Sequence, residues 1–259
     1  MSEVPLMGGT ANRGQVVRVG NTVRRPLHPG SDGVHALLRH LEDAGFDGAP
    51  RLFGVDAQQR EVLSYVNGVA PIQPYPEWAL TDEALVSVAL LLRRYHDAVV
   101  TFDPSEYEWP LRIPPGYGPP LVSHNDPNLD NVVFRDGQAC ALIDFDLAGP
   151  GSAIWDVATA ARLWVPLRAE EDVTDSRRGR GLSRLRLFVD AYGVGAADRP
   201  LLAEALTPSH DWIYRIIRDA AHHGHIGFGR YWTPDVAARI DRTRRWLVQH
   251  AAALRAVLL

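Results

Sequence analysis

Residues 121–146, LVSHNDPNLDNVVFRDGQACALIDFD, decide how the rest of the chain is read. Two polar clusters, His124-Asn125-Asp126 with Asn131 and Asp144-Phe145-Asp146, bracket two apolar segments joined by Asp136-Gly137. Asp-Gly between strand-like runs predicts a hairpin with a two-residue type I′ turn, because both central residues need positive φ. That turn sets a register in which Arg135 faces Gln138, Val133 faces Cys140 and Asn131 faces Leu142. Side chains two apart share a strand face, so Asn131 and Asp144 become diagonal neighbours at roughly 7–8 Å between backbones. Asp126 arrives from the loop just before. Two carboxylates and an amide at one point are hard oxygen donors suited to Mg²⁺.

Composition bounds the function classes. A chain of 259 residues, 46% hydrophobic and 22% charged, has the make-up of a soluble globular protein with one large domain or two closely packed ones. A net charge of −4 leaves no basic footprint for nucleic acid. No stretch is apolar for long enough to span a membrane, and the start lacks the pattern of a signal peptide. Cys140 is the only cysteine, so no internal disulfide forms, and a reducing, cytoplasmic setting is expected. All 27 basic residues are arginine.

Residues 1–66 read as a small β-rich unit: a weak strand at Val4–Met7, a glycine loop at Gly8–Gly14, and strands Gln15–Val19 and Thr22–Pro26 about Gly20-Asn21. A helix follows, with Val34, Leu37, Leu38 and Leu41 as its buried stripe and Ser31 or Asp32 as N-cap. Leu52–Val55 and Glu61–Val66 complete the strands. The glycine loop suits a phosphate cover, yet such loops are common connectors and this one does not match GxGxxG. Asn67-Gly68 and the prolines that follow mark a hinge over 67–80. Residues 81–259 are mainly helical, with helices at Thr81–His96, Ile154–Leu167, Arg184–Tyr192, Arg199–Leu206, His210–His223 and Pro234–Leu258. His96 reads as a satisfied core histidine and Asp156 as a first-turn acid complementing its helix dipole.

SHNDPNLDNVVF followed by ALIDFDLAGPGSAIWDVA resembles the aminoglycoside phosphotransferase and choline kinase group. The likeness is specific over 121–160, loose over 15–66 and absent after about 165. It implies an α+β, bilobed protein-kinase-like fold with a small β-rich N-lobe (1–66), a hinge (67–80) and a larger, mostly helical C-lobe (81–259). It further implies an enzyme using ATP and Mg²⁺ to phosphorylate a hydroxyl of a small molecule: an aminoglycoside-like antibiotic, an amino alcohol or a sugar. Asp126 is then the catalytic base, Asn131 and Asp144 hold the metal, and His124 braces the loop. Asp146 either touches the metal shell or faces the acceptor. Asn125 stands where that group typically has Gly.

The same resemblance places the backbone of Ser64, Tyr65 and Val66 against the adenine. With no lysine in the chain, the phosphate-gripping cation falls to Arg24, two residues before Pro26, with Arg25 facing the opposite side. The helix position that carries Glu in kinases holds His35. Asp211 and Asp219, on a helix rich in aromatic and charged residues, are acceptor candidates suited to a cation. The departures at Arg24 and His35 motivate an alternative: a kinase-fold binding or immunity protein with little phosphoryl transfer.

Overall fold

The computed structural model describes residues 2–6, 14–109 and 111–259. Most of the glycine loop expected as a phosphate cover lies outside them. Strands β1 (Val4–Pro5), β2 (Val17–Val19) and β3 (Thr22–Pro26) begin an antiparallel sheet, followed by helix α1 (Ser31–Asp43), β4 (Leu52–Val55) and β5 (Arg60–Ser64). The spatial order is β1-β2-β3-β5-β4, so β5 lies beside β3 although α1 and β4 separate them in sequence. Val19 pairs with Thr22 across the Gly20-Asn21 turn, and Arg25 pairs with Glu61. Gly30, in the left-handed region at φ 92°, rather than Ser31 or Asp32, stands at the N-cap of α1. The Ser31 hydroxyl instead accepts from the His28 N–H.

Helix α2 (Asp82–Val99) opens on Thr81, whose hydroxyl accepts from Ala84 N–H at 3.1 Å. Its Leu85, Val88 and Leu92 are fully buried and share one core with Leu37 and Leu41 of α1. Each such side chain contributes about 1.5–3 kcal/mol relative to exposure. The sheet is thereby fixed to the helical part. Next come β6 (Pro120–Ser123), β7 (Val132–Arg135), β8 (Gln138–Leu142) and β9 (Gly149–Ser152). Then follow α3 (Ala153–Trp164), α4 (Gly181–Tyr192), α5 (Arg199–His222), α6 (Ile226–Tyr231), α7 (Pro234–Gln249) and α8 (Ala251–Leu258). None of the described helices is long and apolar enough to cross a membrane.

Two helix breaks differ from expectation. The chain does not break at Pro208: α5 runs through it as one helix, and the Ser209 hydroxyl bonds back to Leu206 O at 3.0 Å. The terminal helix does break, at His250, whose ring stacks on Trp246. The pairing of β6 with β9 has no counterpart in the sequence reading. It sets Ser123 beside Gly149 and so brings together the two ends of the central stretch.

Candidate active site

Asp126 leaves β6 on a loop anchored from below by α3. Asp156, fully buried in the first turn of α3, accepts from the backbone N–H of His124 (2.7 Å) and Asn125 (2.9 Å). It also accepts from His96 Nε2–H at 3.0 Å, and His96 Nδ1 accepts from Tyr192 O–H at 2.7 Å. Asp156 is therefore a bracket for the loop, not only a dipole partner. Asn125 sits at φ 64°, a conformation that Gly or Asn adopts at low cost, and its amide donates to Leu147 O. His124 Nε2–H donates to Ile143 O at 3.1 Å, while Nδ1 accepts from the Asp126 N–H at 3.3 Å. Trp164 N–H holds Pro127 O at 2.7 Å. The Asp126 carboxylate is then gripped from both sides, by Asn128 Nδ2 at 3.1 Å and Asn131 Nδ2 at 3.0 Å.

Asn131 and Asp144 are brought to the same place by a different route from the one the hairpin register suggests. The Asp136-Gly137 turn has positive φ at both residues, and Arg135 pairs with Gln138 as expected. A bulge then shifts the ladder, so that Val133 pairs with Ala141 and Val132 with Leu142, leaving Cys140 as the extra residue. Asn131 belongs to the 3₁₀ turn Leu129–Asn131, and its carbonyl accepts from Ile143 N–H. Asp144 lies beyond the strand at φ 63°. Its side-chain direction comes from that left-handed residue, not from strand alternation.

Burial, then the charges of Asp144 and Asp130, push the Asp126 carboxyl well above the usual range. Burial and Asp146 likewise raise Asp144, against the pull of Arg25. Crowded acids of this kind are relieved by a cation. With the Asn131 amide nitrogen committed to Asp126, its oxygen remains for a hard ion beside Asp144. This donor set fits Mg²⁺, which keeps few protein ligands and completes its shell with phosphates and water.

The cation present is Arg25, not Arg24. Arg25 Nη1 meets Asp144 at 2.9 Å, Nη2 meets Asp146 at 2.8 Å, and Nε donates to the fully buried Glu61. The second Glu61 oxygen meets His35 Nε2 at 2.8 Å. Arg24 points away and lies 3.8 Å from Asp56. The reason is strand alternation: Val23 packs on the core, so Arg25 shares its inward face. Glu61, missed in the sequence, supplies from β5 the acid expected on α1, and His35 braces it. The only local hint was strand alternation, which puts Glu61 on the same buried face as Leu63. Asp146 is tied to Arg25 and to His28 Nε2 at 3.2 Å; although burial opposes it, these partners hold its carboxyl at about 2.

The Ser64 and Tyr65 N–H groups bond to Arg51 O and Asn21 O, and the Tyr65 ring lies 3.6 Å from the Arg18 guanidinium. Val66 follows them, half-buried, just beyond the end of β5. On the far side, Asp211 is bound by Arg244 at 2.9 Å and by His210 at 3.1 Å, and Asp219 by Arg218 at 3.0 Å. Both acids lie in half-exposed ion pairs with arginine.

The profile of the phosphotransferase enzyme family matches residues 101–188, which include Asp126, Asn131, Asp144 and Asp146. Over 272 residues the chain is 32% identical to the trifolitoxin immunity protein of Rhizobium leguminosarum bv. trifolii, spanning 99% of this chain and 98% of that protein. The chain belongs to the phosphotransferase enzyme family. A homoserine kinase of Brucella anthropi is 28% identical over 203 residues, 75% of this chain and 55% of that kinase. Among solved structures, a choline/ethanolamine kinase family protein from Mesorhizobium loti superposes with a TM-score of 0.65 at 17% identity, over 99% and 93% of the two chains. The GDP complex of aminoglycoside 2'-phosphotransferase-IIIa gives 0.59 at 13% identity, over 98% and 93%. These likenesses show the protein-kinase-like fold.

The buried imidazoles of this phosphotransferase-family chain make its stability depend on pH. Burial lowers His124 to about 4 and His210 to about 4, so both stay neutral in the fold. The unfolded chain binds their protons from about 6.5 downward, so stability is full above that pH and falls as pH drops toward 4. The loss is on the order of 3 kcal/mol per histidine. Urea midpoints at pH 7.5 and 4.5 read it, and a flat profile across that window contradicts it.

Proposed function

We propose that this chain is an ATP- and Mg²⁺-dependent phosphotransferase that transfers the γ-phosphoryl group to a hydroxyl of a small molecule. The observation that carries it is the Asp126 carboxylate, fixed by Asn128 and Asn131 beside Asp144. Residues 1–66 form the nucleotide-covering lobe, 67–80 the hinge and 81–259 the lobe holding base, metal ligands and acceptor. Val66 backbone faces the adenine, after Ser64 and Tyr65. Asp126 orients the acceptor O–H and takes its proton. The acceptor oxygen bonds to the γ-phosphorus, the bond from phosphorus to the β–γ bridging oxygen breaks, and ADP leaves. Asn131 and Asp144 would hold Mg²⁺, which offsets charge on the phosphates. Arg25 grips phosphate in place of lysine, with a planar fork able to bind two oxygens. The lone free Cys140 suits a cytoplasmic location.

Mg-ATP at a hundred times its Kd stabilises the fold by about 2.7 kcal/mol, a melting shift of roughly 5–10 °C. Asp144→Ala removes the magnesium-dependent part of that shift. A chain whose melting is unmoved by Mg-ATP is not a nucleotide-dependent phosphotransferase.

Full-length similarity to an immunity protein favours a second reading, protection against a toxic small molecule or peptide. Protection by phosphorylation is lost in Asp126→Asn; protection by capture survives it.

A further inference from the structure

Helices α3 and α5 pack together, and α3 also supports the catalytic loop through Trp164 and Pro127. Two residues before Trp164, Arg162 places its guanidinium carbon 5.5 Å from the centre of the Tyr214 ring on α5. Its Nε is buried with no hydrogen-bond partner among the described residues, and no described carboxylate pairs with it. Several other arginines of this half are matched: Arg177 by Asp175, Arg184 by Asp82 and Arg242 by Asp172. Arg162 is half-buried, and a buried guanidinium N–H with neither acceptor nor counter-ion is unfavourable, which leaves that side of the group open to an anion.

The charge is felt at the reaction centre. Arg162 opposes the upward push that burial, Asp144 and Asp130 exert on Asp126, and it also acts on Tyr231. The acids of α5, Asp211 and Asp219, are paired with Arg244 and Arg218, whereas Arg162 has no such partner. The ring face of Tyr214 limits the guanidinium to few orientations, so little freedom is lost when an anion binds.

We propose that the acceptor carries an anionic group, a carboxylate or a phosphate ester, which pairs with Arg162 while its hydroxyl lies at Asp126. This rests on the phosphotransferase reading above and separates the chain from relatives whose acceptors are cations. Planar, bidentate contact is what guanidinium offers both groups.

Two matched pairs of probes test it: L-homoserine against 3-aminopropan-1-ol, and glycerol 3-phosphate against glycerol. ADP release is measured with hydrolysis subtracted. The anionic member of one pair is preferred at least tenfold in kcat/KM, and which pair responds identifies carboxylate or phosphate. Arg162→Gln abolishes the preference and Arg162→Lys keeps part of it. The melting shift with Mg-ATP shows that both variants are folded. Preference for the uncharged or cationic members, or an anion preference that survives Arg162→Gln, overturns the proposal. If no probe is phosphorylated, the phosphotransfer reading is what fails, and binding then decides about Arg162. In Asp126→Asn with Mg-ATP, a melting shift specific to an anionic probe and lost on adding Arg162→Gln upholds the anion site. No such shift overturns it.

Discussion

Asp126→Asn lowers kcat by ~10²–10⁴-fold, the usual contribution of a positioned general base, while Mg-ATP still raises the melting temperature. The substitution keeps the shape of the side chain and one acceptor oxygen for Asn128 or Asn131, but removes the carboxylate proposed to take the acceptor proton. Stability should not fall. The carboxyl is raised in proton affinity by burial and by Asp144 and Asp130, so its ionised form is held at a cost that the amide does not carry. A variant equally stable, still shifted by Mg-ATP and inactive separates chemistry from folding. Loss of less than tenfold in kcat with a proven acceptor removes Asp126 from the role of base.

The central stretch was legible because its chemistry is local. An Asp-Gly turn needs only two residues to be recognised, and the five-residue step from Asp126 to Asn131 lies within one loop. What could not be read required contacts over long distances. The bulge that leaves Cys140 unpaired depends on how the hairpin meets the rest of the fold; the Ser87 hydroxyl on α2 accepts from Ala139 N–H at 3.0 Å, beside the shift. Asp144 points into the site because of its own positive φ, which strand periodicity does not anticipate. Arg25 rather than Arg24 follows from Val23, the inward apolar residue of the same strand, whereas the nearness of Pro26 says nothing of which face a side chain takes. Glu61 lay hidden for a topological reason. It is 36 residues from Arg25 in sequence, and only the order β3-β5 makes them partners. On the acceptor side, Asp211 and Asp219 carried the right charge for a cation, but nothing in one sequence says which acids are already paired.

That hidden glutamate has the largest expected effect on stability. Glu61 has no exposed surface and divides its two oxygens between Arg25 and His35. Glu61→Ala leaves a buried guanidinium with one anchor fewer and a buried imidazole facing a cavity, so the fold loses about 3–5 kcal/mol. Urea denaturation at pH 7.5 measures it, and a loss under 1 kcal/mol would show the triad to be dispensable. Glu61→Gln is the informative companion, since it keeps the size and one acceptor but not the charge. Arg25 then balances only Asp144 and Asp146, and its guanidinium competes harder for the Asp144 oxygen that would hold Mg²⁺ in the proposed reaction. The magnesium concentration giving half of the ATP-dependent melting shift should rise by about tenfold, equivalent to 1.4 kcal/mol, whereas a merely structural glutamate would leave it unmoved. Adding His35→Glu returns a carboxylate to the helix side of Arg25 and should restore part of that shift. Rescue by an acid arriving from α1 would show that Arg25 needs a carboxylate behind it, whichever element supplies it.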